Sequence, residues 1–177
     1  MSHDQIWAPW RLGYVSGEKQ APQTPDAELN FLPAADPGCF MCRGVADNAD
    51  RRNLIVHRGA HTLTILNRYP YNNGHLLIAP RLHKARLDEL TNDEHLECMQ
   101  ALTRMSGLLE KIIKAEGFNV GLNLGRVAGA GVPGHLHWHI VPRWAGDTNF
   151  MPVLAGARVI PQSLDATFEL LQQELGS

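Results

Sequence analysis

The order of the apolar segments is the feature that most limits what this chain can fold into. Three short runs rich in apolar and β-branched residues come first: Leu54-Ile55-Val56, His61-Thr62-Leu63-Thr64-Ile65-Leu66 and His75-Leu76-Leu77-Ile78-Ala79. Turn-forming residues separate them, at Arg58-Gly59 and at Asn72-Asn73-Gly74. Runs of this length and composition, bounded by turns, are typical of strands. The sequence therefore predicts a meander of three strands in this region.

A single long helix follows these strands. Thr91-Asn92-Asp93-Glu94 is a capping-box pattern, in which side chains satisfy the free backbone N–H groups of the first helical turn. Behind it, apolar residues recur at steps of three and four, as on one face of an amphipathic helix: Leu96, Met99, Leu102, Met105, Leu109 and Ile112. Gly117 is typical of a helix end. We predict an amphipathic helix from this cap to Gly117.

The remaining segments complete the predicted fold. Two more strands are indicated, at Phe118 to Leu124 and at Leu136 to Val141, on either side of a glycine-rich link. A final short helix is indicated by Leu164, Phe168, Leu171 and Leu175. Because strands come first, then one helix, then strands again with short links, antiparallel pairing is favoured over a doubly wound parallel sheet. The predicted fold class is α+β, with an antiparallel β-sheet of about five strands, a long helix and a short C-terminal helix.

Length and local composition predict how the chain is organised. Its 177 residues are near the usual size of one domain, so we expect a single domain over residues 1–177. Residues 1–20 carry Trp7 and Trp10, a large apolar surface, and are expected to form a docking arm. Residues 21–38 contain four prolines, which forbid a long helix, and are expected to form a surface connection.

Charge, hydropathy and cysteine usage exclude several classes of partner. The chain has 16 Lys and Arg against 18 Asp and Glu, so no large positive field favours nucleic acid or an anionic membrane. The apolar stretch Leu76-Leu77-Ile78-Ala79 is far shorter than the roughly 20 residues of a membrane helix. The first residues lack a basic and apolar leader, and the three cysteines are an odd number. We expect a cytoplasmic protein with no nucleic-acid and no membrane partner.

Three histidines alternate in the last predicted strand. His135, His137 and His139 fall within five residues, and strand side chains alternate with a period of two, so all three are expected on one face of the strand. Two kinds of chemistry suit them. A His-x-His strand can hold zinc, and a neutral imidazole is a nucleophile at physiological pH. The preceding loop carries Gly125, Gly129, Gly131 and Gly134, which lets backbone N–H groups approach an anion closely and favours a phosphate site beside a nucleophile.

The segment from His135 to Val141 resembles the signature of the histidine triad family, histidine-x-histidine-x-histidine followed by two apolar residues. The likeness extends over most of the chain, in five further segments: Trp7 to Arg11, Leu66 to Pro70, Gly74 to Pro80, Gly121 to Gly125 and Pro142 to Phe150. The last of these resembles the dinucleoside-polyphosphate branch, which includes diadenosine tetraphosphate phosphorylases and hydrolases similar to the fragile histidine triad proteins. The resemblance implies an α+β fold of the same type and a homodimer.

The resemblance also implies roles for single residues. His137 would attack the α-phosphorus of a nucleotide and form a covalent nucleotidyl-histidine, with His139 donating to phosphate oxygens and His135 counted among the catalytic histidines. Asn67 matches a position that binds ribose hydroxyls, and Asn123 matches a polar residue near the α-phosphate. The backbone near Gly129 and Gly131 would hold the remaining phosphate oxygens. The chain departs from the family at Ala130-Gly131-Val132-Pro133-Gly134, where hydroxyl or amide side chains are usual.

A second candidate site starts from two cysteines. Cys39 and Cys42 form a C-x-x-C pair, which is typical of metal-binding or redox sites in a reducing compartment. A zinc site needs two more ligands, and the resemblance implies His83 and His135. With four protein ligands the zinc would be structural rather than catalytic. Cys98 lies inside the predicted long helix and is expected to pack as a small hydrophobic residue.

The expected function is therefore cleavage of diadenosine polyphosphates, such as diadenosine tetraphosphate, by a nucleotidyl hydrolase or transferase. Two alternatives stay open. One is a nucleoside phosphoramidate hydrolase, and the other is a zinc-stabilised module that binds and senses nucleotides. The sequence leaves the second nucleophile, water or phosphate, undetermined, as it does the polyphosphate length and the base preference.

Overall fold

The structure, a computed structural model, describes residues 29–148 and 159–176. Within them five strands form one antiparallel sheet in the order β1-β2-β3-β5-β4. The strands are β1 (Ile55–Arg58), β2 (Thr62–Leu66), β3 (Leu76–Pro80), β4 (Gly117–Leu122) and β5 (Trp138–Arg143). The predicted α+β class and the three-strand meander are confirmed. The expected docking arm, with Trp7 and Trp10, and the first part of the proline-rich connection lie outside the described residues.

Four helices accompany the sheet in the described part of the chain: α1 (Phe40–Ala46), α2 (Asp50–Asn53), α3 (Asn92–Ile113) and α4 (Leu164–Leu175). Short 3-10 turns lie at Leu87–Glu89 and Arg126–Ala128. The long helix α3 and the C-terminal helix α4 were predicted, whereas α1 and α2 were not. Both unpredicted helices are too short to show an apolar periodicity.

The cap of α3 is confirmed and its predicted end is wrong. Thr91 Oγ1 accepts a hydrogen bond from the Glu94 backbone N–H, and the Glu94 side chain accepts one from the Thr91 N–H. The helix ends at Ile113, because Lys114 takes a left-handed conformation with φ 53°. Gly117 is instead the first residue of β4.

The buried face of α3 also differs from the predicted stripe in its first turns. Leu96 and Met99 are 58% and 45% exposed. The helix buries Glu94, Cys98, Leu102, Met105 and Leu109. Glu94 is buried because it closes the cap and pairs with Lys84 at 2.6 Å. Cys98 is fully buried, as expected of a small hydrophobic residue.

The ends of the predicted strands shift by a few residues. The segment expected from Phe118 to Leu124 forms β4 from Gly117 to Leu122, and the segment expected from Leu136 to Val141 forms β5 from Trp138. At the predicted turn before β3, Gly74 has φ 70°, and a Cβ there would lie 2.7 Å from the Ile113 side chain. Glycine is therefore required where this turn packs on the end of α3.

The core lies between the sheet and its helices. α3 contacts β2, β3 and β5, and α4 contacts α3 and β1. Alternate residues of the last strand segment point into this core: Leu136, Trp138 and Ile140 are buried. Their odd-numbered neighbours therefore lie on the opposite side of the sheet. Among the described residues no helix is long and apolar enough to cross a bilayer.

Candidate active site and metal cluster

The three alternating histidines divide between two clusters. The rings of His137 and His139 lie 5.0 Å apart, centroid to centroid. The His135 ring is 1% exposed and packs against the His83 ring at 5.1 Å. The expected shared face is therefore confirmed for His137 and His139, whereas His135, three residues before β5 begins, turns into a separate buried cluster.

That second cluster is the predicted metal site. Cys39 precedes α1 and Cys42 lies in its first turn, and both are buried free thiols. Cys39 Sγ lies 3.4 Å from His135 Nδ1, and Cys42 Sγ lies 3.2 Å from His83 Nδ1. The four potential ligand atoms all lie within 4.8 Å of one another. The short helix α1, which the sequence did not predict, thus places both thiols against His83 and His135.

The donor set fits a tetrahedral ion. With usual zinc–sulfur and zinc–nitrogen distances, neighbouring sulfur and nitrogen ligands of one tetrahedral zinc lie about 3.5 Å apart. The three measured sulfur–nitrogen distances in the cluster are 3.2, 3.4 and 3.6 Å. Two cysteines and two histidines close a structural site without an open position. The cluster can therefore hold a metal ion.

The hydrogen bond of His135 supports this arrangement. Its Nε2 lies 2.8 Å from the carbonyl oxygen of Pro80. A carbonyl oxygen can only accept, so Nε2 carries the proton and Nδ1 presents a lone pair to the cluster. Burial lowers the pKa of His135 to about 4, which keeps the ring neutral at physiological pH. Burial also raises the pKa of the Cys42 thiol to about 11, a cost that a bound cation would offset.

His137 has the opposite arrangement. Its Nδ1 lies 2.8 Å from the carbonyl oxygen of His135, so Nδ1–H donates and Nε2 holds the lone pair. The residue is 8% exposed. A neutral imidazole with one nitrogen fixed by a backbone carbonyl presents the other as an oriented nucleophile.

His139 is fixed by a chain of hydrogen bonds that begins in the loop before β3. The backbone N–H of Tyr71 donates to His75 Nδ1 at 3.0 Å, so the proton of the neutral His75 ring is on Nε2. His75 Nε2 lies 2.9 Å from His139 Nδ1 and donates to it. The remaining proton of a neutral His139 is then on Nε2. His139 therefore offers a donor, where His137 offers a lone pair.

Burial keeps the hydrogen-bonded rings of His75 and His139 uncharged. The pKa of His75 falls to about 3 and that of His139 to about 4, mainly because burial penalises the charged ring, with neighbouring histidines adding to the effect. Because two neutral imidazoles share one hydrogen bond, the donor and acceptor ends stay defined across the physiological pH range.

The residues predicted to bind nucleotide lie around these rings. Asn67 Nδ2 is 3.2 Å from His75 Nδ1, so this amide reaches the histidine chain. Asn123 lines the same cleft as His139. A Cβ added at Gly129 would lie 3.9 Å from Asn123 Nδ2, which places the glycine loop beside that amide.

The two predicted loop glycines differ in their backbone contacts. The Gly129 N–H donates to the Arg126 carbonyl oxygen at 3.0 Å and is used within the loop. Among the described residues no hydrogen bond engages the N–H of Gly131, which is exposed. Of the two glycines, Gly131 is thus the one with a donor available to an anion.

An open cleft of about 550 Å³ borders His139. It starts at His139 and follows β4 and β5 to a polar end formed by Asn119, Arg143 and Asp147. Arg143 donates to both carboxylate oxygens of Asp147, at 2.5 and 2.8 Å, and holds the pKa of that carboxyl at about 2. Trp144 does not line this cleft, and its indole N–H donates to the Lys114 carbonyl oxygen at the end of α3.

Sequence reasoning does not single out His75 and includes it only as the first residue of the third predicted strand. Its signal is the two-residue period of that run, which puts His75, immediately before β3, on the same side of the sheet as Leu77. Leu77 pairs with His139 in the sheet, so the same face carries both histidines.

Comparisons with known proteins agree with this geometry. The family model described as HIT domain matches residues 49–146. An AP-4-A phosphorylase of Mycobacterium tuberculosis is 37% identical over 170 residues, which cover 96% of this chain and 83% of that protein. An adenosine 5'-monophosphoramidase of Saccharomyces cerevisiae is 25% identical over 123 residues, 70% of this chain and 73% of that protein.

A solved structure shares the fold. The zinc-bound histidine triad family protein from Mycobacterium smegmatis superposes with a TM-score of 0.58 at 26% sequence identity. The match covers 70% of this chain and 84% of that chain.

Proposed function

The chain belongs to the HIT family, and from that premise we propose that it is an enzyme that cleaves diadenosine polyphosphates at the α-phosphate. The observation that carries the proposal is the orientation of His137, whose Nδ1 is engaged by the His135 carbonyl while Nε2 is left as a lone pair. The whole-length similarity to an AP-4-A phosphorylase supports diadenosine tetraphosphate as the substrate class.

The first step is attack of His137 Nε2 on the α-phosphorus. A P–N bond forms, and the bond from the α-phosphorus to the bridging oxygen breaks, so that diadenosine tetraphosphate leaves ATP and an adenylyl group on His137. The His137 ring becomes cationic as it is phosphorylated, and the His135 carbonyl at 2.8 Å stabilises the Nδ1–H. Holding nucleophile and phosphorus together supplies much of the rate, because positioning replaces an entropic cost.

His139 acts at the phosphate oxygens. Its Nε2–H, fixed by His75 on the other nitrogen, donates to a phosphate oxygen as negative charge develops. Asn123 and the free N–H of Gly131 are placed to bind the remaining oxygens, and Asn67 is placed for the ribose. Since the loop Ala130-Gly131-Val132-Pro133-Gly134 has no polar side chain, its contribution to phosphate binding is made by backbone groups.

The second step releases the nucleotide. Water converts the adenylyl-histidine to AMP, and inorganic phosphate converts it to ADP, with His137 restored in both cases. The AP-4-A phosphorylase similarity favours phosphate. Product analysis with and without phosphate is the direct test: ADP formed together with ATP supports phosphorolysis, and AMP formed at all phosphate concentrations supports hydrolysis.

The metal cluster has a structural role in this proposal. Cys39, Cys42, His83 and His135 would hold one zinc ion, which stabilises the fold when bound. The chain's contribution is to tie α1 to the segment that presents His137, because His135 belongs to both. A zinc-bound family member of the same fold supports the choice of metal.

A phosphoramidase is the second candidate. The similarity to an adenosine 5'-monophosphoramidase favours it, and the same His137 attack would then expel an amine instead of a nucleotide. Comparing kcat/KM for diadenosine tetraphosphate and for adenosine 5'-phosphoramidate separates the two. A protein that senses nucleotides without turning them over would form no adenylyl-protein with either labelled compound, and that result would overturn both enzymatic proposals.

The proposal includes a homodimer in the cytoplasm. β4 lies at the edge of the sheet, and Val120 on it is half exposed. On α3, Leu96 and Met99 are exposed. An open sheet edge and exposed apolar side chains favour pairing with a second copy. The free thiols of Cys39 and Cys42 suit a reducing compartment. Sedimentation at micromolar concentration tests the dimer.

A further inference from the structure

The cleft beside His139 continues well beyond the groups that the chemistry at the α-phosphate uses. From His139 it follows the paired strands β4 and β5, past Val141, to Asn119 and Arg143. Tyr71, from the loop before β3, forms part of its wall. A mononucleotide held at Asn67 and His137 leaves this part of the cleft unaccounted for.

The cleft lies on the opposite side of the catalytic histidines from Asn67. Asn67 directly follows β2, whereas Asn119 is on β4, and the sheet order β1-β2-β3-β5-β4 puts β3 and β5 between them. Neighbouring strands lie about 4.8 Å apart, so the backbones of the two residues are separated by about 14 Å across the sheet. A ligand with a nucleoside at each end of a phosphate chain has the length to reach both sides.

The charges at the far end do not suit phosphate. The Arg143 guanidinium is paired with both oxygens of Asp147, and its third nitrogen donates to Asn119 Oδ1 at 2.8 Å. Because that carboxyl has a pKa of about 2, it stays ionised and neutralises the guanidinium. The end of the cleft therefore combines hydrogen-bonding groups with almost no net charge.

The wall of the cleft suits an aromatic base. The Tyr71 ring is half exposed and lies nearly parallel to the His139 ring, at an angle of 14° and a centroid distance of 5.9 Å. Nucleobases stack on such aromatic rings, and stacking tolerates any base because every base has a π-face. The Asn119 side-chain amide, whose Oδ1 accepts from Arg143, lies at the same end, and Val141 supplies an apolar surface.

We propose that this end of the cleft, formed by Tyr71, Asn119 and Arg143, binds the second nucleoside of a dinucleoside polyphosphate, the one on the leaving group. The inference rests on the proposed function and specifies its substrate class: a ligand with two nucleosides is preferred over a nucleotide with the same phosphate chain and one nucleoside. The neutral end of the cleft recognises the base and ribose, while the phosphates stay near the histidines and the glycine loop.

The test compares diadenosine tetraphosphate with adenosine 5'-tetraphosphate, which has the same four phosphates and lacks the second nucleoside. Dissociation constants for both are measured by calorimetry on the His137→Gln chain, so that neither ligand is consumed. We expect the dinucleoside to bind at least about tenfold more tightly, the usual scale of stacking one base on an aromatic ring. Tyr71→Ala in that background should reduce this preference about tenfold, and Asn119→Ala about fivefold through one lost hydrogen bond.

Tyr69→Ala is the matched control. Tyr69 is an exposed tyrosine in the same loop that does not line the cleft, and its variant should keep the full preference. Equal affinity for the two ligands, or an equal loss of affinity for both in Tyr71→Ala and Asn119→Ala, would show that this end binds phosphate or nothing and would overturn the inference. If the unmodified chain still cleaves diadenosine tetraphosphate, the proposed function survives that result. Failure to bind or cleave either ligand would overturn both.

Discussion

His135 and His137 are two residues apart, yet they belong to regions with opposite properties. His135 lies in a closed cluster with two thiols and a second imidazole, whereas His137 lies beside an imidazole that borders an open cleft. Each ring is fixed by one backbone carbonyl. Pro80 engages Nε2 of His135, and His135 engages Nδ1 of His137. The choice of nitrogen leaves Nδ1 of His135 facing a thiol and leaves the lone pair of a neutral His137 ring on Nε2.

The comparison shows how the same side chain can suit two kinds of chemistry. Both residues are buried, at 1% and 8% exposed, so burial does not separate them. The two residues differ in which ring nitrogen is engaged by a backbone carbonyl. They also differ in the groups that surround the other ring nitrogen. Because the His135 carbonyl orients His137, the two regions share one residue, and the following predictions test how far they are independent.

The largest effect is expected at His137, in the region of the open cleft. His137→Gln should lower the rate of diadenosine tetraphosphate cleavage by several orders of magnitude while nucleotide binding survives, because the covalent step alone needs the imidazole lone pair. Removing a serine nucleophile in another enzyme costs about 10⁶ in kcat. Turnover and a nucleotide dissociation constant, measured on the same preparation, check the prediction.

His61→Gln provides the control, since His61 is an exposed histidine whose described hydrogen bonds come from its backbone. It should keep both rate and binding. Activity of His137→Gln within tenfold of the unmodified chain would contradict the role of His137.

The next largest effect is expected in the closed cluster of Cys39, Cys42, His83 and His135. Cys39→Ser should lower metal content from about one zinc per chain and reduce the melting temperature by roughly 10 °C, because the free energy of binding a structural metal is part of the folding free energy. Elemental analysis and a thermal melt measure the two quantities. The catalytic rate should fall less than in His137→Gln, through loosening of the segment around His135.

Cys98→Ala is the matched control, because Cys98 is equally buried but lies in α3 outside the cluster. It should keep the metal. Full stability of a metal-free preparation would show that the thiols are incidental, and a Cys39→Ser chain that retains zinc yet loses all activity would place the metal in the chemistry.

A smaller effect concerns the neutral histidine chain. The folded pKa of His75 is about 3, against 6.5 for an ordinary histidine, because burial and the nearby rings of His139 and His137 disfavour its charged form. Below pH 6.5 the unfolded chain takes up a proton that the folded chain refuses, so stability is lost as pH falls from 6.5 toward 3. Between pH 6.5 and 5 this amounts to about 2 kcal/mol.

Urea unfolding of the unmodified chain and of His75→Gln at several pH values isolates that contribution. The variant should lose stability less steeply over the same pH range, although the other buried histidines still contribute. Parallel pH profiles for the two proteins would show that the pKa of His75 is the same in the folded and unfolded chains and would contradict the lowered value.

Short apolar runs bounded by turn residues predicted β2 and β3, and the capping box with its apolar period predicted α3, because these elements depend on residue type and spacing. The C-x-x-C pair indicated only Cys39 and Cys42 as candidate metal ligands, whereas the family resemblance supplied His83 and His135. Spacing failed at Gly117, since Lys114 already leaves the helical conformation and a glycine can equally begin a strand. It also could not assign the proton on each histidine, which depends on where the carbonyls of Pro80 and His135 lie after folding.

The smallest effect is expected at Gly134, next to the closed cluster. Gly134 immediately precedes His135, and a Cβ added there would lie 3.2 Å from His83 Nε2, tighter than usual packing. In Gly134→Ala the imidazole of His83 must move by a few tenths of an ångström, which should cost about 1 kcal/mol and lower the melting temperature by about 3 °C.

Gly131→Ala is the matched control, because a Cβ there meets nothing within 4 Å. The displacement should weaken metal retention against a chelator in Gly134→Ala and leave it unchanged in Gly131→Ala. Since His83 belongs to the closed cluster and not to the histidine chain, the rate per metal-loaded chain should stay within about twofold. A large loss of rate with full metal content would show that His83 and His137 are coupled more tightly than one shared residue, His135, can explain.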